Sequence, residues 1–116
     1  MSTSHDDIQA RASVALDIPG QRYTLGVDGS VIGFTAFRDL DGQRIFFHTE
    51  IDDAYAGHHL SSVLVKAALD DVRTRGLRFV PVCPLVAAYA NKHPEVQDIA
   101  DAATPQILEF LDRELG

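Results

Sequence analysis

The sequence predicts an α/β fold: a mixed sheet built from an antiparallel β-meander, then α-β-α with the last strand parallel to the third, and a C-terminal helix. Three observations carry this reading. Three β-rich segments between residues 22 and 51 are separated only by short turns containing Asp-Gly, so each strand must fold back beside its neighbour. From Leu60 the apolar residues change from a period of two to that of a helix. A β-branched segment returns after Gly76, and a strand reached through a helix runs parallel to the strand before it.

The elements follow in order. Residues 1–20 are polar and alanine-containing and end in the chain-breaking run Ile18-Pro19-Gly20. They read as a flexible arm with a helical turn around Asp7 to Ala15, leaving residues 21–116 as a single domain. In Arg22–Val27 the side chains of Tyr23, Leu25 and Val27 share one face, and Asp28-Gly29 makes a hairpin turn. Val31–Arg38 is β-branched and aromatic, Asp39–Gly42 turns the chain again, and Arg44–Ile51 is the third strand. Leu60, Leu64, Ala67, Ala68 and Val72 lie on one face of a helix that stops at Gly76, with Lys66, Asp70 and Arg73 pointing away. Leu77–Cys83 is the fourth strand. Pro84 suits the first position of the next helix, Leu85–Lys92, which His93-Pro94 ends. A last helix from about Pro105 to Leu115 sets Ile107, Leu108, Leu111 and Leu115 on one face.

Composition narrows the function classes. At 116 residues and 46% hydrophobic side chains the chain supports one core. Ten Lys and Arg against 17 Asp and Glu give a net charge of -7 with no basic run, which argues against a nucleic-acid partner, since that requires a basic face. The single cysteine, Cys83, makes no internal disulfide, as in a reducing compartment. The N-terminus has no apolar signal segment and no run approaches membrane-spanning length. The expectation is a cytoplasmic protein with no membrane partner, a monomer or weak dimer.

Chemistry concentrates in two places. Residues 48–64 run from a strand through a loop containing Gly57 into a helix. Unpaired amides and the positive end of a helix dipole make such a junction a candidate anion cradle without any Lys or Arg. Cys83 stands just before Pro84, at the N-cap of the next helix, where the dipole favours thiolate; burial as a core filler is the competing reading. His48, in the third strand with Phe46 and Glu50 on its face, is either a hydrogen-bonded core residue or the partner of Cys83. A His-Cys pair across two parallel strands would make thiolate or take a proton from an attacking amine. Glu50 is a candidate base acting through water. His58 and His59 do not suggest a metal, because adjacent residues rarely share an ion and no carboxylate-histidine spacing supports them.

Several blocks together resemble the GNAT acetyltransferase superfamily, in particular its smallest branch, the stand-alone GNAT-like N-acetyltransferase domains. They are His48-Thr49-Glu50-Ile51, Tyr55-Ala56-Gly57-His58-His59-Leu60-Ser61, Ala67-Ala68-Leu69-Asp70 and Cys83-Pro84-Leu85-Val86-Ala87-Ala88-Tyr89, with Lys92-His93-Pro94 after them. The resemblance implies an acetyl-CoA-dependent transfer of an acetyl group to a primary amine of a small molecule or protein. It implies that Thr49, Glu50, Ile51 and Asp52 offer backbone to the pantetheine arm. It implies that Ala56, Gly57, His58, His59, Leu60 and Ser61 cradle the pyrophosphate and makes Tyr89 a candidate to protonate the leaving CoA thiolate, with packing of its ring against the sheet as the competing and favoured reading. His48 and Cys83 are the candidate catalytic residues. The superfamily loop reads Gln/Arg-x-x-Gly-x-Gly/Ala; Gly57 matches its first glycine, whereas Ala54 and His59 depart from it. A side chain at His59 must be accommodated where glycine would tolerate positive φ. The alternative is a non-catalytic CoA-binding or protein-interaction domain on the same scaffold.

Overall fold

The computed structural model describes residues 4–116, with side chains from Ile8 onward. The element order is α1 (Ser4–Arg11), β1 (Ala12–Asp17), β2 (Arg22–Val27), β3 (Ser30–Leu40), β4 (Gln43–Ile51), α2 (Leu60–Thr74), β5 (Arg78–Pro81), α3 (Pro84–Lys92) and α4 (Pro105–Leu115). One five-stranded sheet runs β1-β2-β3-β4-β5. β1 to β4 are antiparallel and β5 joins β4 in parallel, as the helical crossover requires. The β2-β3 and β3-β4 hairpins turn on Asp-Gly pairs with positive φ at each residue, 51° and 85° at Asp28-Gly29 and 51° and 79° at Asp41-Gly42. That geometry matches the natural twist of two antiparallel strands.

The flexible arm is corrected by the structure. Ala12–Asp17 pairs with Arg22–Val27 over its whole length, and Gln9 Nε2 of α1 donates to the carbonyl of His58 at 2.9 Å. Residues 1–3 lie outside the described residues. The strand's signal was present: Ala12, Val14 and Leu16 alternate with Ser13 and Ala15, and the apolar set packs on the core.

Helices cover both faces of the sheet. On one, α2 and α3 bury Leu64, Val65, Leu69, Val72, Val86 and Tyr89 against Tyr23, Leu25, Phe37 and Phe46. On the other, α4 sets Ile107 and Leu111 on Ile45 and Val80. Leu108 and Leu115, expected on that buried face, are about half exposed, because α4 touches the sheet along a narrow stripe. Thr104 caps this helix, its hydroxyl accepting from the amide of Ile107 at 3.2 Å.

A buried ion network ties the β3-β4 hairpin to α2. Arg44, 7% exposed, donates through Nε and Nη2 to the two carboxylate oxygens of Asp39 at 2.8 and 2.9 Å. Its Nη1 donates to Tyr23 Oη at 2.7 Å, and Tyr23 donates in turn to Asp71 at 2.7 Å. The guanidinium also lies 4.1 Å from the centroid of Phe37. A planar cation that is hydrogen-bonded at its edge and stacked on its face is how a charge is kept in a core.

Candidate functional site

The site begins where β4 and β5 part. Their parallel ladder runs only from Gln43 opposite Arg78 to Phe46 opposite Pro81, while β4 continues to Ile51. Beyond Pro81 the chain leaves the sheet: the Cys83 amide still donates to the Phe46 carbonyl at 2.8 Å, and Pro84 then opens α3. Residues 47–51 therefore present a strand edge to a widening gap instead of to a neighbour.

A β-bulge sits at the same level. Ala36 pairs with His48 and Phe37 with Phe46, so Phe47 is an extra residue on β4. One inserted residue reverses which face every later side chain takes. Phe46 belongs to the core beneath α2, yet Thr49 and Ile51, not His48 and Glu50, turn to that side beyond the bulge; Ile51 packs on it, while His48 and Glu50 are exposed. The expected sharing of a face by Phe46 and His48 is thus wrong, and with it the expected His48-Cys83 pair.

The groups these two residues do meet are clear. Cys83 is 5% exposed, and its Sγ donates to Thr49 Oγ1 at 3.3 Å. Thr49 Oγ1 also shares a hydrogen bond with Thr35 Oγ1 at 2.9 Å, and Thr35 is fully buried. A hydroxyl chain, not an imidazole, fixes the cysteine at the apex of the gap. The side chain of Cys83 makes no capping bond to α3 although the residue is the N-cap. His48 Nε2 lies 2.7 Å from Glu50 Oε2 on the opposite face, and its ring packs at 5.9 Å on Phe34, which in turn carries the Arg22 guanidinium at 5.4 Å. With Nε2–H donating to Glu50, Nδ1 is left as a proton acceptor.

Below the gap, the chain from β4 to α2 forms the cradle. Asp52 accepts from the Ala54 amide at 2.9 Å and starts a 3-10 turn, Asp53–Tyr55. Gly57 takes φ +84°, and a Cβ there would meet nothing within 4 Å; conformation, not space, calls for glycine. His59, the N-cap of α2, adopts φ 58° and ψ 26°, and its side chain caps no amide. The left-handed turn that glycine would supply is thus made by a histidine. Helix geometry leaves the amides of Leu60, Ser61 and Ser62 without carbonyl partners inside α2, and its first turn holds no carboxylate. Ile51, Ala56, Gly57, His59, Ser61 and Leu85 line one cleft. These donors fit a pyrophosphate.

Tyr89 lies further from the gap. It is 8% exposed, stacks on His93 with ring centroids 3.9 Å apart, and lines a second cleft with Ser61, Ser62, Leu85, Lys92 and His93. Burial pushes its hydroxyl pKa up, aided by the charge of Glu95. At 1.5 Å per residue, Tyr89 stands roughly 9 Å along α3 from Cys83, a position suited to the far end of a ligand.

The parallel pair β4-β5 thus parts above the Gly57 loop and the start of α2. Residues 22–99 match the family model described as GCN5-related N-acetyl-transferase, and the chain belongs to that family. Among solved structures it is similar to a GCN5-like protein of Staphylococcus aureus determined by NMR in solution. That likeness has a TM-score of 0.62 at 16% identity and covers 83% of this chain and 94% of that one. It is also similar to the ribosomal-protein-S18-alanine N-acetyltransferase of Escherichia coli, with a TM-score of 0.53 at 16% identity over 74% of this chain and 65% of that one. No curated protein sequence matches. Among the described residues no helix is long and apolar enough to cross a membrane.

Proposed function

We propose that this N-acetyltransferase takes acetyl-CoA as donor and a primary amine as acceptor. The pantetheine arm runs along the backbone of Thr49, Glu50, Ile51 and Asp52, and the pyrophosphate rests on the amides of the Gly57 loop and α2. The observation that carries this reading is the coincidence of an open strand edge with a cradle at its end. A thioester held against fixed backbone is presented in one orientation, which removes much of the entropic barrier to attack.

In the reaction the amine nitrogen attacks the thioester carbonyl carbon, the C–S bond breaks, and CoA leaves as a thiolate that takes up a proton. His48, held by Glu50, accepts the proton lost by the amine on the face opposite the cradle. Cys83 lines the acyl end of the slot, positioned by Thr49 and Thr35. An acetyl-Cys83 route demands that the buried thiol itself attack first.

Two measurements test this. Isothermal titration with acetyl-CoA should show binding, and release of free CoA thiol should depend on added amine. His48→Ala should cut turnover by about a hundredfold, the lower end of the range for loss of a general base, with acetyl-CoA affinity unchanged. Intact mass after mixing with acetyl-CoA alone should show no stable acetyl adduct. Binding without amine-dependent thiol release across a panel of small and peptide amines would leave a non-catalytic CoA-binding domain, and absence of binding would end the proposal.

A further inference from the structure

The chain has ten Lys and Arg, and all but two pair with a carboxylate. The pairs extend from Arg11 with Asp28 to Arg78 with Asp101. Among the described residues, Lys92 and Arg113 hold none. On a protein of net charge -7, such a cation is where an anion from solution has no internal competitor.

The two stand in different places. Arg113 lies at the far side of the sheet, in a cleft with Leu40, Asp41 and Phe110 that shares no residue with the cradle. Lys92 ends α3 and lines the cleft that also holds Ser61, Ser62, Leu85 and Tyr89. Ser61 and Leu85 also line the cleft at the cradle, so the cleft that holds Lys92 adjoins the one at the Gly57 loop. Two carboxylates whose charge reaches Tyr89 in this cleft are engaged: Glu95 with His93 Nδ1 at 3.0 Å and Asp70 with Lys66 Nζ at 2.9 Å. The flat Tyr89-His93 stack forms the wall beside Lys92.

We propose that Lys92 recognises the 3′-phosphate on the ribose of the coenzyme and makes the protein select CoA over its dephosphorylated form. The inference rests on the acetyl-CoA reading above. In CoA the 3′-phosphate sits on the sugar whose 5′ carbon carries the pyrophosphate, one ribose from the cradle. A ligand whose pyrophosphate lies on α2 therefore brings this second phosphate into the adjoining cleft. Tyr89 and His93 present a flat surface to the sugar and base, and the Lys92 ammonium meets the dianion. The contact is solvent-facing, so its effect is modest and salt-dependent.

The test titrates the full chain calorimetrically with acetyl-CoA and with 3′-dephospho-acetyl-CoA at low ionic strength. Wild type is expected to bind acetyl-CoA on the order of fivefold more tightly, the strength of one partly exposed charge-assisted contact. Lys92→Gln should bring acetyl-CoA down to the affinity of the dephospho compound while leaving the latter within about twofold. Arg113→Gln should leave both affinities and the preference intact. Equal wild-type affinities, a preference that survives Lys92→Gln, or one that Arg113→Gln also erases would overturn the assignment to Lys92. If neither compound binds wild type, the acetyl-CoA reading fails and this proposal falls with it.

Discussion

His59→Gly is the substitution that separates backbone from side chain in the cradle. The histidine occupies φ 58° and ψ 26° at the start of α2, a left-handed conformation that costs an ordinary L-residue about 1–2 kcal/mol and glycine nothing. Histidine is among the residues enriched there, so the lower figure applies. Against that gain, glycine loses about 0.4–1 kcal/mol through the greater freedom of the unfolded chain. The two backbone terms nearly cancel. The backbone path is unchanged, so acetyl-CoA affinity, measured by calorimetry, should stay within about twofold. Gly57→Ala is the contrasting variant. Its φ of +84° penalises any Cβ although the space around it is open, so this change should destabilise by about 1–2 kcal/mol and weaken binding as the loop relaxes away from its amide geometry. A tenfold loss of affinity in His59→Gly would make the imidazole itself the phosphate ligand. A tenfold gain would make it an obstruction, and either result refutes a cradle built from amides.

Three further outcomes are expected. Thr49→Val leaves the fully buried Thr35 hydroxyl and the Cys83 thiol without their common partner, and should cost about 1–3 kcal/mol in urea unfolding; Thr49→Ser should restore most of it, and His48→Ala, on the exposed face, should cost less than about 0.5 kcal/mol. Arg44→Met should cost about 2–3 kcal/mol, below the range for a fully buried pair because Asp39 is 48% exposed, and should lower the melting temperature by more than about 8 °C. Burial raises the Asp71 pKa, but hydrogen bonds from Tyr23 and Arg75 and the charges of Arg75 and Arg44 outweigh it and hold the carboxyl below its ordinary value. The stability from this shift is therefore complete above about pH 4 and disappears as pH falls through the lowered value. Melting curves of Asp71→Asn should show a shallower acid slope than wild type below that pH; parallel slopes would refute the assignment.

The meander, the helical crossover and the Gly57 turn were legible because each has a local cause: alternation, period and a turn residue. The strand parity near the site was not. Ile45-Phe46-Phe47-His48 contains no alternation to break, so nothing local reveals that Phe47 is the extra residue; only the register against β3 does. The same is true of Gly33, where a Cβ would lie 2.7 Å from the Glu50 carbonyl oxygen, a contact set by the β3-β4 register and not by any local pattern. Thr49 was read for its backbone alone, since a hydroxyl in an alternating strand gives no sign of a cysteine 34 residues later. Gln9 carries no motif either; its role comes from the loop carbonyl it reaches.

The bulge at Phe47 makes β4 a partition with two working sides. Because residues on either side of the inserted position address opposite faces of the sheet, the proposed donor beside Thr49 and the proposed amine beside His48 would approach the same strand from different directions and would not compete for one entrance. Deleting that one residue would turn His48 inward and Thr49 outward, merging the two approaches into one.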